Sequence, residues 1–219
     1  MNCRKGVIAM NYDVIRIKGG TDNCYIITDG KNAILADTSS GGSFKMVMDT
    51  VSKYDLKLIV LTHPHFDHAE NADAIARQFN IPVAYNKADD EIFDSYDAQP
   101  LKSYGAVGFV VLTLSLKVLR TTKVTKPENL FFISEGDTFA EYGFPDVKVI
   151  ELPGHTKGSI GLLAGSDKII VGDALDNWIS PGMGHLYYDK EVQQKTYEKI
   201  RSFSGRTAYY GHGKPTVLK

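Results

Sequence analysis

The sequence predicts a layered α/β domain, and three observations carry that reading. Strand-like and helix-like segments alternate along the 219 residues. At least one strand is apolar on both faces, as expected inside a sheet covered on two sides. No low-complexity linker and no internal repeat interrupts the pattern, so one domain spanning residues 1–219 is expected. That length is enough to bury a proper core.

The elements follow in order. Tyr12–Lys18, Cys24–Thr28 and Ala33–Asp37 are rich in Ile and Val and are separated by Gly, Asn and Asp, which reads as three strands. Asp29-Gly30 reads as a hairpin turn. After Ser40-Gly41-Gly42, residues Phe44, Val47, Met48 and Val51 recur at helical spacing, so a helix is expected over Ser43 to Tyr54. Leu58–Leu61 is the wholly apolar strand. A helix from about Asn71 to Phe79 and a strand at Val83–Tyr85 come next. The second half repeats the rhythm with strands at Phe131–Ile133, Val147–Leu152, Ser159–Ala164, Lys168–Val171 and Thr207–Tyr210. A helix over roughly Lys190 to Phe203 precedes the last of them.

Residues 89–127 resist this treatment. Val107, Val110, Val111, Leu114 and Val118 suit a helix, while Leu112, Leu114, Leu116 and Val118 also alternate as in a strand. The helix is preferred despite Gly105 and Gly108. The segment is expected to form a lid or insert, a pocket wall, a dimer contact or an ordinary packed helix.

Composition narrows the function classes. The formal net charge is −1, so no global field draws in nucleic acid or an anionic membrane. A local basic patch at Lys117, Arg120, Lys123 and Lys126 reads as a solvated face. Cys3 and Cys24 are too few for a disulfide framework and are read as reduced. Val7–Met10 is too short for the apolar region of a signal peptide. Tyr104–Leu119 falls short of the ~20 apolar residues of a membrane span. A cytoplasmic location is expected.

The chemistry gathers at strand ends. Residues 62–68 read Thr-His-Pro-His-Phe-Asp-His, placing three of the chain's six histidines within six positions, directly after an apolar strand. Neutral imidazoles offer nitrogen lone pairs, and a carboxylate supplies charge against a divalent cation. His63 and His65 alternate, so in an extended turn their rings point the same way. Asp67 and His68 are adjacent, so their side chains diverge toward a second ion beside the first. Three further strands end in Pro153-Gly154-His155-Thr156, Gly172-Asp173 and Gly211-His212-Gly213. Each of these alone is an ordinary turn; four such strand ends together point to a metal centre. Small residues beside each ligand let the backbone crowd the ion.

His-x-His-x-Asp-His, Pro-Gly-His-Thr-x-Gly-Ser at 153–159, Gly-Asp-Ala at 172–174 and Gly-His-Gly at 211–213 resemble the metallo-β-lactamase superfamily, nearest its glyoxalase II-like hydrolases. The resemblance covers roughly residues 12–213. It implies a four-layer αβ/βα sandwich of mostly antiparallel or mixed sheets, with the metal site where the two sheets meet along one edge. It implies that His63, His65 and His155 hold one ion, that Asp67, His68 and His212 hold another, and that Asp173 bridges both. Zinc fits this donor set, as do iron and manganese. Two ions ~3.5–4 Å apart lower a bridging water's pKa toward ~7, giving hydroxide for attack on a carbonyl or on phosphorus. Asp67 would orient the nucleophile as well as bind metal. Asp37 would either fix the tautomer of a ligand imidazole or be a plain turn residue.

The implied activity is hydrolysis of a small ester, thioester or lactone. Two alternatives stay open: a mononuclear iron enzyme of the persulfide dioxygenase type, and a non-catalytic metal- or nucleic-acid-binding protein of the same fold. Many β-lactamases of the superfamily have Cys or Ser where this chain has Asp173, and flavodiiron oxygen reductases typically have Glu in place of His65, so neither activity is expected. Known glyoxalase II enzymes add a C-terminal helical domain, whereas this sequence ends seven residues after His212, so strict glyoxalase II activity is not expected. Quorum-quenching lactonases place Tyr three residues after the bridging Asp; here that residue is Asp176. Trp178, Met183, His185, Tyr187 and Tyr188 are expected to line the substrate side, His185 being the histidine not needed as a ligand. Segments 62–70, 153–159 and 172–188 contain one Lys or Arg, Lys157, which favours an acyl group over a polyanion. A small-molecule substrate is expected, with no nucleic acid and no membrane, and a homodimer is left open.

Overall fold

The computed structural model describes residues 10–119 and 121–219. The readings of Cys3, of the N-terminal run before Met10 and of Arg120 lie outside the described residues. Strands β1 (Asp13–Gly19), β2 (Asp22–Thr28) and β3 (Asn32–Ala36) form an antiparallel meander. Its second turn is built as the Asp-Gly pair requires. Gly30 takes φ 100°, and Asp29 Oδ1 accepts from the Lys31 and Asn32 amides at 2.9 and 2.8 Å.

Helix α1 (Phe44–Val51) leads to β4 (Asp55–Val60), which runs parallel to β3. Helices α2 (Phe66–Ala69) and α3 (Ala72–Phe79) precede β5 (Val83–Tyr85). Then come β6 (Lys102–Ser103), α4 (Gly105–Leu119) and β7 (Leu130–Phe132). The first sheet has the order β1-β2-β3-β4-β5-β7. The second half supplies β8 (Thr138–Phe139), β9 (Phe144–Glu151), β10 (Ile160–Ala164) and β11 (Lys168–Gly172). Short strands β12 (Leu175–Asp176), β13 (Gly182–Met183) and β14 (Leu186–Tyr187) follow, then α5 (Lys190–Arg201), β15 (Thr207–Tyr210) and β16 (Thr216–Val217). The second sheet has the order β16-β15-β11-β10-β9-β8. Both sheets are mixed, with β15 parallel to β11 in the second.

Three apolar clusters separate four layers. Alternation along β3 sends Ala33 and Leu35 toward Val47 of α1 and Ile75 of α3, and sends Ile34 and Ala36 the other way. Ile34, Leu58 and Val60 meet Val147, Val149 and Leu162 between the sheets. Ile150, Ile169 and Val171 leave the outer face of the second sheet to pack on Ile200 of α5. The result is a four-layer αβ/βα sandwich. Cys24 is buried in the first cluster as a free thiol.

The segment 89–127 contains α4, and its apolar residues are apolar on nearly every side. Within α4 only Gly108 and Leu119 are buried, while Phe109 is 67% and Leu114 64% exposed. An ordinary packed core helix is therefore not what forms here. A two-stranded antiparallel ribbon of β6 and β14 ties the start of α4 to the chain that follows Asp173. Among the described residues no helix is long and apolar enough to cross a membrane.

Candidate metal centre

The centre sits where the sheets join. The Ile160 amide at the start of β10 donates to the Thr62 carbonyl beyond β4 (2.9 Å), and the Asn23 amide in β2 donates to Gly211 (2.9 Å). Loops from both halves of the chain converge there.

Asp37, just beyond β3, has φ 59°, a left-handed conformation that Asp tolerates better than most residues. Its buried carboxylate accepts from the Thr62 amide (2.7 Å), the Thr62 hydroxyl (2.8 Å) and His68 Nδ1 (2.9 Å). Because Thr62 Oγ1 gives its proton to Asp37, its lone pair faces His63 Nδ1 at 3.2 Å. His155 Nδ1 donates to the Leu186 carbonyl (3.0 Å) and His212 Nδ1 to the Thr21 carbonyl (2.9 Å). These acceptors place a proton on Nδ1 in each ring, which turns an Nε2 lone pair inward. His65 is reversed: its Nδ1 faces His155 Nε2 at 3.1 Å.

The inward atoms form three groups whose members all lie within 4.8 Å of one another: His63, His65 and His155; Asp67, His68 and His212; and His63, His68 and Asp173. Asp173 stands between the first two. Its Oδ1 is 3.4 Å from His68 Nε2, and its Oδ2 is 3.7 Å from His155 Nε2 and 3.2 Å from His212 Nε2. His63 Nε2, His68 Nε2 and Asp173 Oδ1 are buried with no hydrogen-bond partner. Buried polar atoms of this kind are costly unless something else satisfies them. Imidazole nitrogens and carboxylate oxygens converging on one volume fit divalent metal ions. The structure thus brings together all seven residues expected at the centre, and places Asp37 on His68.

Local sequence explains the convergence. His65 precedes α2, whose four residues include Asp67 and His68; the His68 ring lies 4.1 Å from the His63 ring, and Asp67 is turned to His212 Nε2 (3.4 Å). That short helix was not legible in the sequence. A Cβ at Gly211 would stand 2.7 Å from His68 Cε1 and would collide with Asp173 Oδ1, so only glycine fits against the centre. Gly154 has φ 131° and lies flat on Gln193 of α5, where a Cβ would come within 2.5 Å of the backbone. Buried Asp89 holds the next stretch of the same loop, accepting from Thr156 Oγ1 (2.6 Å) and the Gly158 amide (2.7 Å). Burial pushes the Asp89 carboxyl up to about 6, against the pull of those donors. No spacing in the sequence singled out Asp89 or Thr62.

Electrostatics divides the candidate ligands into two kinds. Burial, with His68 and the other imidazoles, pushes His63 far down, and burial with His155 brings His65 to about 3. Both are neutral donors at pH 7. Burial also disfavours charge on His68 and His212, but Asp173 and Asp67, with Asp37 beside His68, outweigh it and raise both. Burial would raise Asp67, yet His68 and His212 bring it to about 2. In the metal-free protein, protons on His68 and His212 thus balance the carboxylates.

A cavity of 380 Å³ opens on the centre. Asp67, His155, Asp173 and His212 lie in its wall, and one face of α4, with Val111, Leu114 and Val118, forms the opposite side. Trp178 stacks on His212 (4.8 Å, 17° between planes) and joins the wall, as does His185. Met183, Tyr187 and Tyr188 do not. Met183 pairs with Leu175, the Tyr187 hydroxyl donates to Ser103 (3.3 Å), and the Lys157 ammonium lies 5.2 Å over the Tyr188 ring. Alternation in β13 and β14 turns Met183 and Tyr187 away, while Tyr188, beyond β14, donates from its amide to the Gly154 carbonyl (2.8 Å). Among the described residues no Lys or Arg lines the cavity. Lys157 pairs with Glu91 (2.6 Å) and Lys126 with Asp90 (2.5 Å).

The family model of the metallo-beta-lactamase superfamily matches residues 17–212. A probable metallo-hydrolase of Methanocaldococcus jannaschii is 29% identical, over 72% of this chain and 68% of that protein. The hydroxyacylglutathione hydrolase GloC of Haemophilus influenzae is also 29% identical, over 88% of this chain and 84% of that one. A protein solved in a di-iron-bound form superposes with a TM-score of 0.66 at 18% identity, over 94% of both chains.

Two outcomes are expected. Asp173→Ala should remove far more metal and activity than Asp37→Ala, because it takes an oxygen from both triads. The loss at Asp37 should stay within the ~10–100-fold usual for a residue supporting a ligand. Elemental analysis with kinetics checks this, and equal metal content in the two variants would contradict it. Metal uptake at neutral pH should release protons, because ions compete with the protons raised onto His68 and His212, so affinity should climb with pH. Calorimetry in buffers of differing ionisation enthalpy reads the number released.

Proposed function

The chain belongs to the metallo-β-lactamase superfamily, and from that premise we propose that it is a dinuclear metal-dependent hydrolase of small esters, thioesters or lactones. In this reading His63, His65 and His155 hold one ion, Asp67, His68 and His212 the other, and Asp173 is shared. Zinc is the first choice, with iron or manganese compatible with the same donors. Two divalent ions supply an acidified water and a polarised carbonyl. The chain supplies position. Asp67, in the cavity wall beside Asp173, orients the attacking water. The apolar face of α4 and the Trp178 ring hold the acyl part and exclude bulk water.

The observation that carries the substrate class is the cavity wall: apolar side chains opposite the ligands, and no Lys or Arg among the described residues. A polyanion bound there would lack the charge-assisted donors that phosphate recognition uses. The relative named hydroxyacylglutathione hydrolase supports a thioester, and this chain covers 84% of it. A mononuclear iron enzyme would leave the triad of Asp67, His68 and His212 without a task.

The test is a substrate panel under matched metal loading. Aryl esters, thioesters or lactones with apolar acyl groups should show kcat/KM at least about tenfold above bis-aryl phosphodiesters, a gap equal to ~1.4 kcal/mol of differential transition-state binding. A phosphodiester that outperforms every carbonyl substrate would overturn the reading.

A further inference from the structure

We propose that His185, held by Asp176, is the acid that protonates the departing oxygen or sulfur when the acyl bond breaks, a role that rests on the hydrolase reading. Asp176 is buried at 4% exposure, and its Oδ2 accepts from both the backbone amide (2.9 Å) and Nδ1 (2.5 Å) of His185. Its Oδ1 is buried with no partner. The Tyr104 ring stacks on the imidazole at 5.5 Å with 6° between planes, and the Tyr104 hydroxyl is anchored on the Met183 carbonyl (2.8 Å). Gly108 of α4 closes the back: a Cβ there would stand 3.1 Å from the His185 carbonyl oxygen. The ring is thus fixed on one face and one edge.

Four histidines line the cavity: His65, His155, His185 and His212. Three of them belong to the triads. His155 and His212, lending an inward lone pair to an ion, have already given the proton on the other nitrogen to backbone carbonyls and have none to offer a substrate, and the inward nitrogen of His65 faces His155. His185 is not so committed. Asp176 keeps a proton on Nδ1, which leaves Nε2 as the nitrogen open to a bound molecule, and the same carboxylate balances the charge when Nε2 is also protonated. Among the described residues the cavity wall holds no other imidazole free of the triads.

In the step, the water oxygen bonds to the acyl carbon and the C–O or C–S bond breaks, its electron pair staying on the departing atom. The proton on Nε2 passes to that atom. The ring returns to its neutral form, still donating from Nδ1 to Asp176. The proton given up by the attacking water replaces it through solvent. An alcohol or thiol and a carboxylate leave, the second proton of the water passing to solvent as the carboxylic acid ionises.

The experiment holds the acyl group constant and varies the leaving group from p-nitrophenol, which departs without help, to simple alkyl alcohols, which do not. His185→Ala at wild-type metal content should lose about 10²–10⁴-fold in kcat on alkyl esters, the usual range for general acid catalysis, and less than about threefold on the nitrophenyl ester. Added imidazole should restore part of the alkyl ester rate. Asp176→Asn should show the same ranking with smaller losses. A uniform loss across the series, or none, overturns the assignment. The wild-type enzyme gives a check that needs no variant: its kcat/KM should depend weakly on leaving-group acidity, and a steep dependence also overturns it. If the metal-loaded wild type hydrolyses no carbonyl substrate, the hydrolase reading falls and this role with it; either of the other failures removes His185 alone.

Discussion

One carboxylate, that of Asp37, accepts from the Thr62 amide, the Thr62 hydroxyl and His68 Nδ1. Through these bonds it joins the end of β3, the end of β4 and helix α2. It orients His68 directly and, through the Thr62 hydroxyl, the His63 ring as well. A buried carboxylate with three donors is stable where the same group unpaired would not be. Removing it would free two ligand rings at once, one from each triad.

The same logic recurs around the centre with different acceptors. His155 is held by a carbonyl of β14 and His212 by the turn between β1 and β2. The outer hydrogen bonds thus come from both halves of the chain, so the inward lone pairs converge only when the two sheets are joined. Neighbouring charges then assign protons: His63 and His65 stay neutral, while His68 and His212 carry protons against Asp67 and Asp173. Divalent ions would replace those protons without moving the frame. In this way the folded chain prepares the centre, and metal affinity and fold stability become linked.

Much of this was legible in the residues, and the reasons for what was not are physical. Strands with strict alternation or wholly apolar runs, such as Ala33–Asp37 and Leu58–Leu61, were placed within a few residues, because burial on a sheet imposes its period directly. The residues that converge on the candidate centre were legible because four strand ends each carried a metal-type side chain beside small residues. Helix α2 was not, since four residues are too few to show a period. Asp89 was not, because its partners Thr156 and Gly158 are 67 and 69 residues away. Helix α4 gave conflicting periods because it is apolar on both its cavity and its outer sides. Met183, Tyr187 and Tyr188 were expected at the substrate by proximity in sequence to Asp173, but the β6–β14 ribbon and the β12–β13 pair set which side chains face the cavity.

That ribbon connects the centre to the chemistry proposed for it. It brings α4 over the ligands as an apolar wall and, through Tyr104 and Gly108, steadies His185 against Asp176. The whole account depends on two ions being held between the two triads with Asp173 shared. The most direct measurement is anomalous diffraction from crystals of the metal-loaded protein, combined with elemental analysis of the same preparation. Two peaks per chain are expected, one among His63, His65 and His155 and one among Asp67, His68 and His212, with Asp173 between them. A single peak at saturating metal, with the second triad empty, would contradict the account.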